Sequence, residues 1–547
     1  MELILVVVGA IIVTALAHRR GLEPALVIVV VGFVVSFLPG FNGIELESDI
    51  LLSVVLPPLL YSAALNFSVP TFLRNIRPIL GLGIGLVVVT AFAVAAIAAW
   101  LVVPLTFATA LVLGAVVAPP DAVTAVAVGR KLGLPKRVMA ILTGESLIND
   151  AAALSLFTIA VAHVAGTHAF IGNPLLLFSY SAVLGPIVGG ALGYVTLWIR
   201  RRLNNPGLET IQGIVVPFAA FIAAEHIHAS GVLAVVVAGF VVGHGSVDAG
   251  YQTRLQERYV WNSLDVLLEA FVFAYIGLQL RFTIDELREA HESLAEVAVA
   301  SVVVLVIVLV IRPVSVFLMF SRRVLSEQGR GVLGARRRSG PPGRPASVTD
   351  RRALTWRENV VVSWTGMRGV VTLAAASGIP LVTETGEPFP DRAAIQAIAF
   401  VVSVGTLLIQ GWTLPVLIRR LHLSDEDAER VAQETAKAEQ VVHDAAEEVL
   451  TAFRERPPSG LDPRVLAEIT ATIARQSQDA DEMPDPDAHT LRAEVFSALY
   501  REVLCAQRCA LIAERDAGRI DDESVRAMLE RLDLQEAGVT ARLESRI

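Results

Sequence analysis

Gly144-Glu145-Ser146-Leu147-Ile148-Asn149-Asp150-Ala151-Ala152-Ala153 sets two carboxylates and an amide inside a stretch that is otherwise apolar. An ionisable group at bilayer depth costs roughly 2.5–3.5 kcal/mol on insertion scales, so it usually marks an ion or proton path. Asp150 therefore reads as a transport site. At i, i+4 and i+5, Glu145, Asn149 and Asp150 project from one side of a helix. The same cost keeps that side away from lipid, toward protein or a water-filled cavity.

The rest of the chain fits this setting. Of 547 residues, 54% are hydrophobic and only 18% charged, too apolar over the first four-fifths for an ordinary soluble core. A span needs about 20 apolar residues, fewer when broken or well packed, and on that rule the sequence predicts about thirteen. They fall near 2–17, 24–38, 49–66, 78–103, 106–128, 138–164, 175–198, 209–227, 231–244, 263–280, 294–320, 358–383 and 393–419. The fold class is an all-α polytopic membrane protein. Basic residues gather in alternating connections: Arg19 and Arg20; Arg74 and Arg77; Arg130, Lys131, Lys136 and Arg137; Arg200 to Arg202; Arg254 and Arg258; then 322–357. The intervening loops carry Glu45, Glu47 and Asp49, or Asp285, Glu286 and Glu289, or Glu384, Glu387 and Asp391. The positive-inside rule makes the basic set cytoplasmic. An odd number of spans then puts the N-terminus outside and the tail inside. No basic n-region precedes the first apolar run, so it is expected to stay as a span rather than be cleaved as a signal.

The transmembrane part is taken as 1–423 and a cytoplasmic tail as 424–547. Apolar residues at helical spacing, such as Ala438, Val442, Ala445 and Val449, or Leu491, Val495, Leu499 and Val503, predict a helical tail that regulates or helps dimerise the whole. Breaks at Pro457-Pro458-Ser459-Gly460 and over 479–486 divide it into three pieces. Cys505 and Cys509, the only cysteines, are expected as two small buried residues rather than a redox pair. The segment 329–350 reads as a disordered connector whose arginines fit a positive-inside loop or contact with anionic lipid.

Two further helices carry chemistry. In the fifth span, Ala118-Pro119-Pro120-Asp121-Ala122-Val123-Thr124 removes two successive N–H donors and must break the helix. A break at membrane depth survives where it lines a cavity, its freed backbone then serving as ion ligands. Asp121 is either a direct cation ligand or a cap on the second half-helix, and the two roles are compatible. In the twelfth span, the glycines of Trp364-Thr365-Gly366-Met367-Arg368-Gly369-Val370-Val371-Thr372 allow a second unwound stretch. Arg368 is a permanent charge that either snorkels to a surface or needs a partner; Glu145 is the partner expected, as scaffold rather than as a transport group. If spans one to six and eight to thirteen are inverted halves, the fifth and twelfth correspond, which is the sequence pattern of a transporter site at a repeat interface.

The three segments Gly-Glu-Ser-Leu-Ile-Asn-Asp, Ala-Pro-Pro-Asp-Ala-Val and Trp-Thr-Gly-Met-Arg-Gly, in this order, resemble those of sodium/proton exchangers of the NhaP and eukaryotic NHE kind. The resemblance extends in particular to the long-tailed bacterial branch, whose cytosolic end the tail from Leu511 to Ile520 and on to Leu532-Asp533-Leu534 also resembles. The resemblance implies that Asp150 carries the cation or the proton, that Asp121 and Ser146 help ligate the cation, and that Asn149 steadies the fifth-span break. It implies a structural pair of Glu145 with Arg368, two broken crossing helices in a moving six-helix core, homodimers and a plasma-membrane location. Where animal exchangers carry an acid after the third-span Pro-Pro, this chain has Leu56-Pro57-Pro58-Leu59-Leu60-Tyr61-Ser62. With Ser62 there, a third carboxylate near the cation does not carry over, and the ion choice stays open. Ser62 and Thr124 are auxiliary candidates.

Mechanism follows from competition. A carboxylate removed from water disfavours its charged form, so a monovalent cation and a proton exclude each other from it. With Asn149 where electrogenic relatives have a second Asp, one titrating group predicts one proton per cation. Oxygen-only ligands suit sodium or lithium, with potassium as an alternative. His226 and His228 read as interfacial residues at a span end rather than as a pH sensor. A channel would need a continuous polar lining or a ring of carbonyls or acids. An organic-anion symporter would place an exposed Arg at the break. No Gly-rich phosphate loop, Gly-x-Ser-x-Gly elbow or zinc motif points to an enzyme. Apart from the transported ions and membrane lipid, no cofactor and no nucleic-acid partner is expected.

Overall fold

The computed structural model describes residues 2–38, 51–101, 105–121, 123–167, 171, 173–203, 205–334, 354–423, 425–457, 463–478 and 490–544. Among them no strand occurs beyond one bridge between Val382 and Pro388. Contacts within the chain group into two units, 1–202 with 211–247 and 260–424, and 203–210 with 248–259 and 425–547.

In the first unit the helices follow the predicted spans. α1 (Glu2–Arg19) and α2 (Pro24–Ser36) are followed by a π turn (Leu51–Val55) leading into α3 (Leu56–Leu65), then by α4 (Val69–Arg74). α5 (Ile76–Leu80) continues through a second π turn (Gly81–Leu86) into α6 (Val87–Leu101). The fifth span is split into α7 (Phe107–Val117) and α8 (Val123–Lys131). Next come α9 (Lys136–Ala165), α10 (Pro174–Leu203), α11 (Pro206–His226), α12 (Gly231–Gly245), α13 (Tyr251–Glu289) and α14 (Leu294–Gly334). The twelfth span is split as well, into α15 (Trp356–Trp364) and α16 (Val370–Ser377), and α17 (Arg392–Leu421) closes the set. Among the described residues, seven helices are long and apolar enough to cross a bilayer, and five more are apolar but shorter. The chain is a multi-pass membrane protein.

Starts and close approaches follow from local sequence. Ser68, Thr106 and Ser230 cap α4, α7 and α12 with their hydroxyls, and Thr355 with Glu358 forms a capping box on α15. Lipid tails offer little hydrophobic drive between helices, so packing relies on small residues that let backbones meet. On α10, Gly185, Gly189 and Gly193 recur every four residues and face Ser230, Ala234 and Ala238 with Val241 of α12. Gly114 of α7 lies on the Ala91 backbone of α6, and Gly32 of α2 on Gly277 of α13. A side chain at any of these points would push the helices apart.

Three expectations are corrected. The tenth span, placed at 263–280, belongs to a helix that runs from Tyr251 to Glu289. Of the connector expected over 329–350, residues 329–334 are helical as the end of α14, and residues 335–353 lie outside those described. Among the described residues of the tail there are four helices rather than three pieces: α18 (Asp425–Glu455), α19 (Pro463–Gln478), α20 (Thr490–Asp516) and α21 (Asp522–Glu544). The extra division falls at Gly518, whose φ of 71° is a left-handed turn open to glycine. The two breaks expected within the tail lie mostly outside the described residues.

The second unit is built from α18–α21 and the connections 203–210 and 248–259. Ala438, Val442 and Leu450 of α18 and Leu499, Val503 and Leu504 of α20 are buried. Gln507 Nε2 donates to the Val442 carbonyl at 3.1 Å, joining the two helices. Cys505 and Cys509 are exposed, not buried as expected. Two arginines of the basic connections, Arg254 and Arg258, pair with the tail helix α21. Arg254 grips Asp533 with two donors, Nε at 2.6 Å and Nη2 at 2.5 Å, and Arg508 reaches the same carboxylate at 3.0 Å and also pairs with Glu536. Arg258 pairs with Glu530.

Candidate functional site

The two broken helices satisfy each other. Pro119 and Pro120 cannot donate, so α7 ends at Val117, and its last carbonyls need donors from elsewhere. Arg368 supplies them: Nε donates to the Val117 carbonyl at 2.9 Å, Nη2 to Ala118 at 3.4 Å and Nη1 to Gly366 in its own unwound stretch. The Asp121 N–H turns to the Met367 carbonyl at 2.5 Å. Asn149 Nδ2 takes the Pro120 carbonyl at 2.5 Å, and the Arg368 N–H is received by Thr406 Oγ1 at 2.9 Å. Each break thus gives the other the partners that a continuous helix would have supplied internally.

Asp121, the first residue past the prolines, is half-buried, and its carboxylate lies against the Cα of Gly369, where a Cβ has no room. Asp150 on α9 is 7% exposed, makes no hydrogen bond among the described residues, and lies near enough to Asp121 to feel its charge. Asn149 is fully buried; with its Nδ2 committed to Pro120, its Oδ1 is left without a hydrogen bond. Thr124, in the first turn of α8, is buried with its hydroxyl unbonded. Ser146, one turn before Asp150, is half-buried. Asp121, Asn149 and Asp150 are tied by bonds or charge to the crossing of the two breaks; among the described residues, Thr124 and Ser146 are not.

The expected pairing of Glu145 with Arg368 is corrected. Glu145 is held by Arg312 of α14, whose Nη1 and Nη2 meet its two oxygens at 2.5 and 2.9 Å, with both side chains 2% exposed. The planar guanidinium fork matches a carboxylate edge-on, and a third donor, Arg312 Nε, goes to the Val362 carbonyl at 3.1 Å. Arg368 is also 2% exposed, so it does not snorkel to a surface. It serves the freed carbonyls because it sits in the unwound stretch itself.

Ser62 is the second correction. It donates to Asp265 Oδ2 of α13 at 2.6 Å, so the carboxylate absent from α3 arrives from another helix. Glu269 stands one turn beyond Asp265, within electrostatic reach of it and of Asp121. Arg312, Asp265 and Glu269 were missed at the level of sequence although all three lie inside predicted spans. The cost argument that singled out Asp150 applies equally to them. His226 and His228 are exposed at the turn between α11 and α12, as placed.

Comparisons with known proteins give the family and the fold. Residues 3–420 match the sequence model of a family described as sodium/hydrogen exchanger, transmembrane. A protein of Mycobacterium tuberculosis named as an uncharacterized Na(+)/H(+) exchanger is 31% identical over 98% of this chain and 95% of its own length. The Na(+)/H(+) antiporter ApNhaP of Aphanothece halophytica is 26% identical over 80% of this chain and 77% of its own. Among solved structures, the sodium proton antiporter MjNhaP1 of Methanocaldococcus jannaschii has a TM-score of 0.57 at 16% identity, covering 77% of this chain and 99% of that one, a likeness of fold.

Proposed function

The chain belongs to the sodium/hydrogen exchanger family, and we propose that it exchanges sodium ions for protons by alternating access, with Asp150 as the oxygen site that either ion occupies. The observation that carries this reading is the placement of Asp150 and Asp121 together at the crossing of two broken helices. Two acidic side chains, a half-buried Ser146 and unbonded oxygens on Asn149 and Thr124 make an all-oxygen set suited to a hard monovalent cation. Lithium shares that preference, and potassium is the competing cargo.

The remaining polar groups support the same division of labour. Glu145 is neutralised by Arg312 and takes no part in the proton cycle. Arg368 spends donors on three carbonyls and is buried, which argues against an anion site at the break. Asn149 holds the Pro120 carbonyl through an amide that does not titrate, so Asp150 alone alternates between ions and exchange is electroneutral. The protein is a homodimer of the plasma membrane with its tail, 424–547, in the cytoplasm, where it regulates transport or helps dimerise the whole.

Purified protein in liposomes carrying a pH-sensitive dye tests this. Sodium or lithium added outside should drive proton movement, Asp150→Asn should abolish it, and clamping the membrane potential should leave the rate unchanged. A response confined to potassium would replace the cargo, and full activity in Asp150→Asn would remove that residue from its role.

A further inference from the structure

Serine and threonine hydroxyls in these helices habitually donate to a carbonyl one turn back: Thr14 to Ala10, Thr158 to Leu154, Thr196 to Leu192, Ser301 to Val297, Ser363 to Asn359 and Thr413 to Ile409. Thr124 and Thr372 depart from the habit. Each lies three residues past a break, Thr124 after Asp121 and Thr372 after Gly369, and they are 3% and 1% exposed. Neither Oγ1 has a hydrogen-bond partner among the described residues. The cause is local. Four residues before Thr124 is Pro120, whose carbonyl Asn149 occupies, and four before Thr372 is Arg368, in the unwound stretch where no helical carbonyl is presented. Thr90 and Ser403 also have buried, unbonded hydroxyls, but neither lies on a broken helix.

Position decides what the Thr372 hydroxyl meets. Gly369 packs directly on the Asp121 carboxylate, and three residues on, Thr372 is on the same side of α16. Its polar atom therefore lies on the face that α16 turns toward the crossing, as Thr124 does on α8. Hiding a hydroxyl from water without a bond is unfavourable, and here it occurs once on each half-helix that leaves the crossing.

We infer that Thr372 Oγ1 is a cation ligand contributed by the second broken helix, so that the transported ion is held by neutral oxygens from both halves as well as by the two carboxylates. This rests on the exchange reading above and deepens it. A neutral hydroxyl adds to cation affinity without adding a group that titrates. Its removal weakens sodium and lithium binding and leaves the maximal rate in place.

The test compares wild type, Thr372→Val, Thr372→Ser and Asp150→Asn in dye-loaded liposomes across a range of sodium and lithium concentrations. Thr372→Val keeps the shape and loses the oxygen; its half-saturating concentration should rise about three- to tenfold with the maximal rate retained. Thr372→Ser restores the oxygen and should return the wild-type value. An active wild type with unchanged half-saturation in Thr372→Val overturns the inference alone. So does a fall in maximal rate in both Thr372 variants without a change in half-saturation, which is the mark of a packing role. A wild type inert to every alkali cation overturns the exchange reading and this inference with it.

Discussion

Two arginines in the membrane part divide tasks that look interchangeable in sequence. Arg312 closes on Glu145 with two parallel bonds, and Arg368 closes on backbone carbonyls. Their substitutions should fail differently. Arg312→Ala leaves a buried carboxylate without its counter-charge and should cost about 3–5 kcal/mol, whereas removing both members together should recover much of that loss. Thermal unfolding of the purified protein in detergent checks this, and an unchanged midpoint in Arg312→Ala would refute the pairing. The pairing was not legible beforehand because Glu145 and Arg312 are 167 residues apart. Burial cost says that each charge needs a mate, but it does not say which. Arg368 looked like a charge in need of a mate because the carbonyls that occupy it appear only once the chain is folded.

Helix breaks were legible. Two adjacent prolines cannot continue a helix and glycines permit an unwound stretch, and α7 and α15 stop as those residues dictate. The sequence was silent on how the breaks fit together, which depends on Gly369 offering no side chain to Asp121. Gly369→Ala introduces a methyl where the carboxylate sits and should displace Asp121 without unfolding the protein. Sodium-driven proton movement should fall at least tenfold while the elution profile on size exclusion stays unchanged; wild-type activity would show that the close approach is dispensable. The acids of α13 were hidden for a different reason. Hydropathy averages absorb two charges in a long apolar run, and Ser62 at the third-span position drew attention to an absence rather than to its replacement, Asp265.

For the whole molecule, the sequence divided a membrane part from a helical tail at 423, while contacts assign 203–210 and 248–259 to the same unit as the tail. A hydropathy boundary follows the lipid and a packing boundary follows contact, so the two need not coincide. Asp533, 4% exposed between Arg254 and Arg508, holds that unit together. Asp533→Ala takes the carboxylate from Arg254 and leaves Arg508 with Glu536 alone, and should speed proteolysis within the tail at least several-fold relative to wild type; an unchanged digestion pattern would argue against the clamp. The transport account itself depends on one carboxylate accepting a proton or a sodium ion but not both. Half-saturating sodium measured in liposomes between pH 6 and 9 tests that most directly. The account predicts that, below the effective pKa of the site, the value rises about tenfold for each unit of acidification at constant maximal rate; a half-saturation independent of pH across the whole range would contradict it.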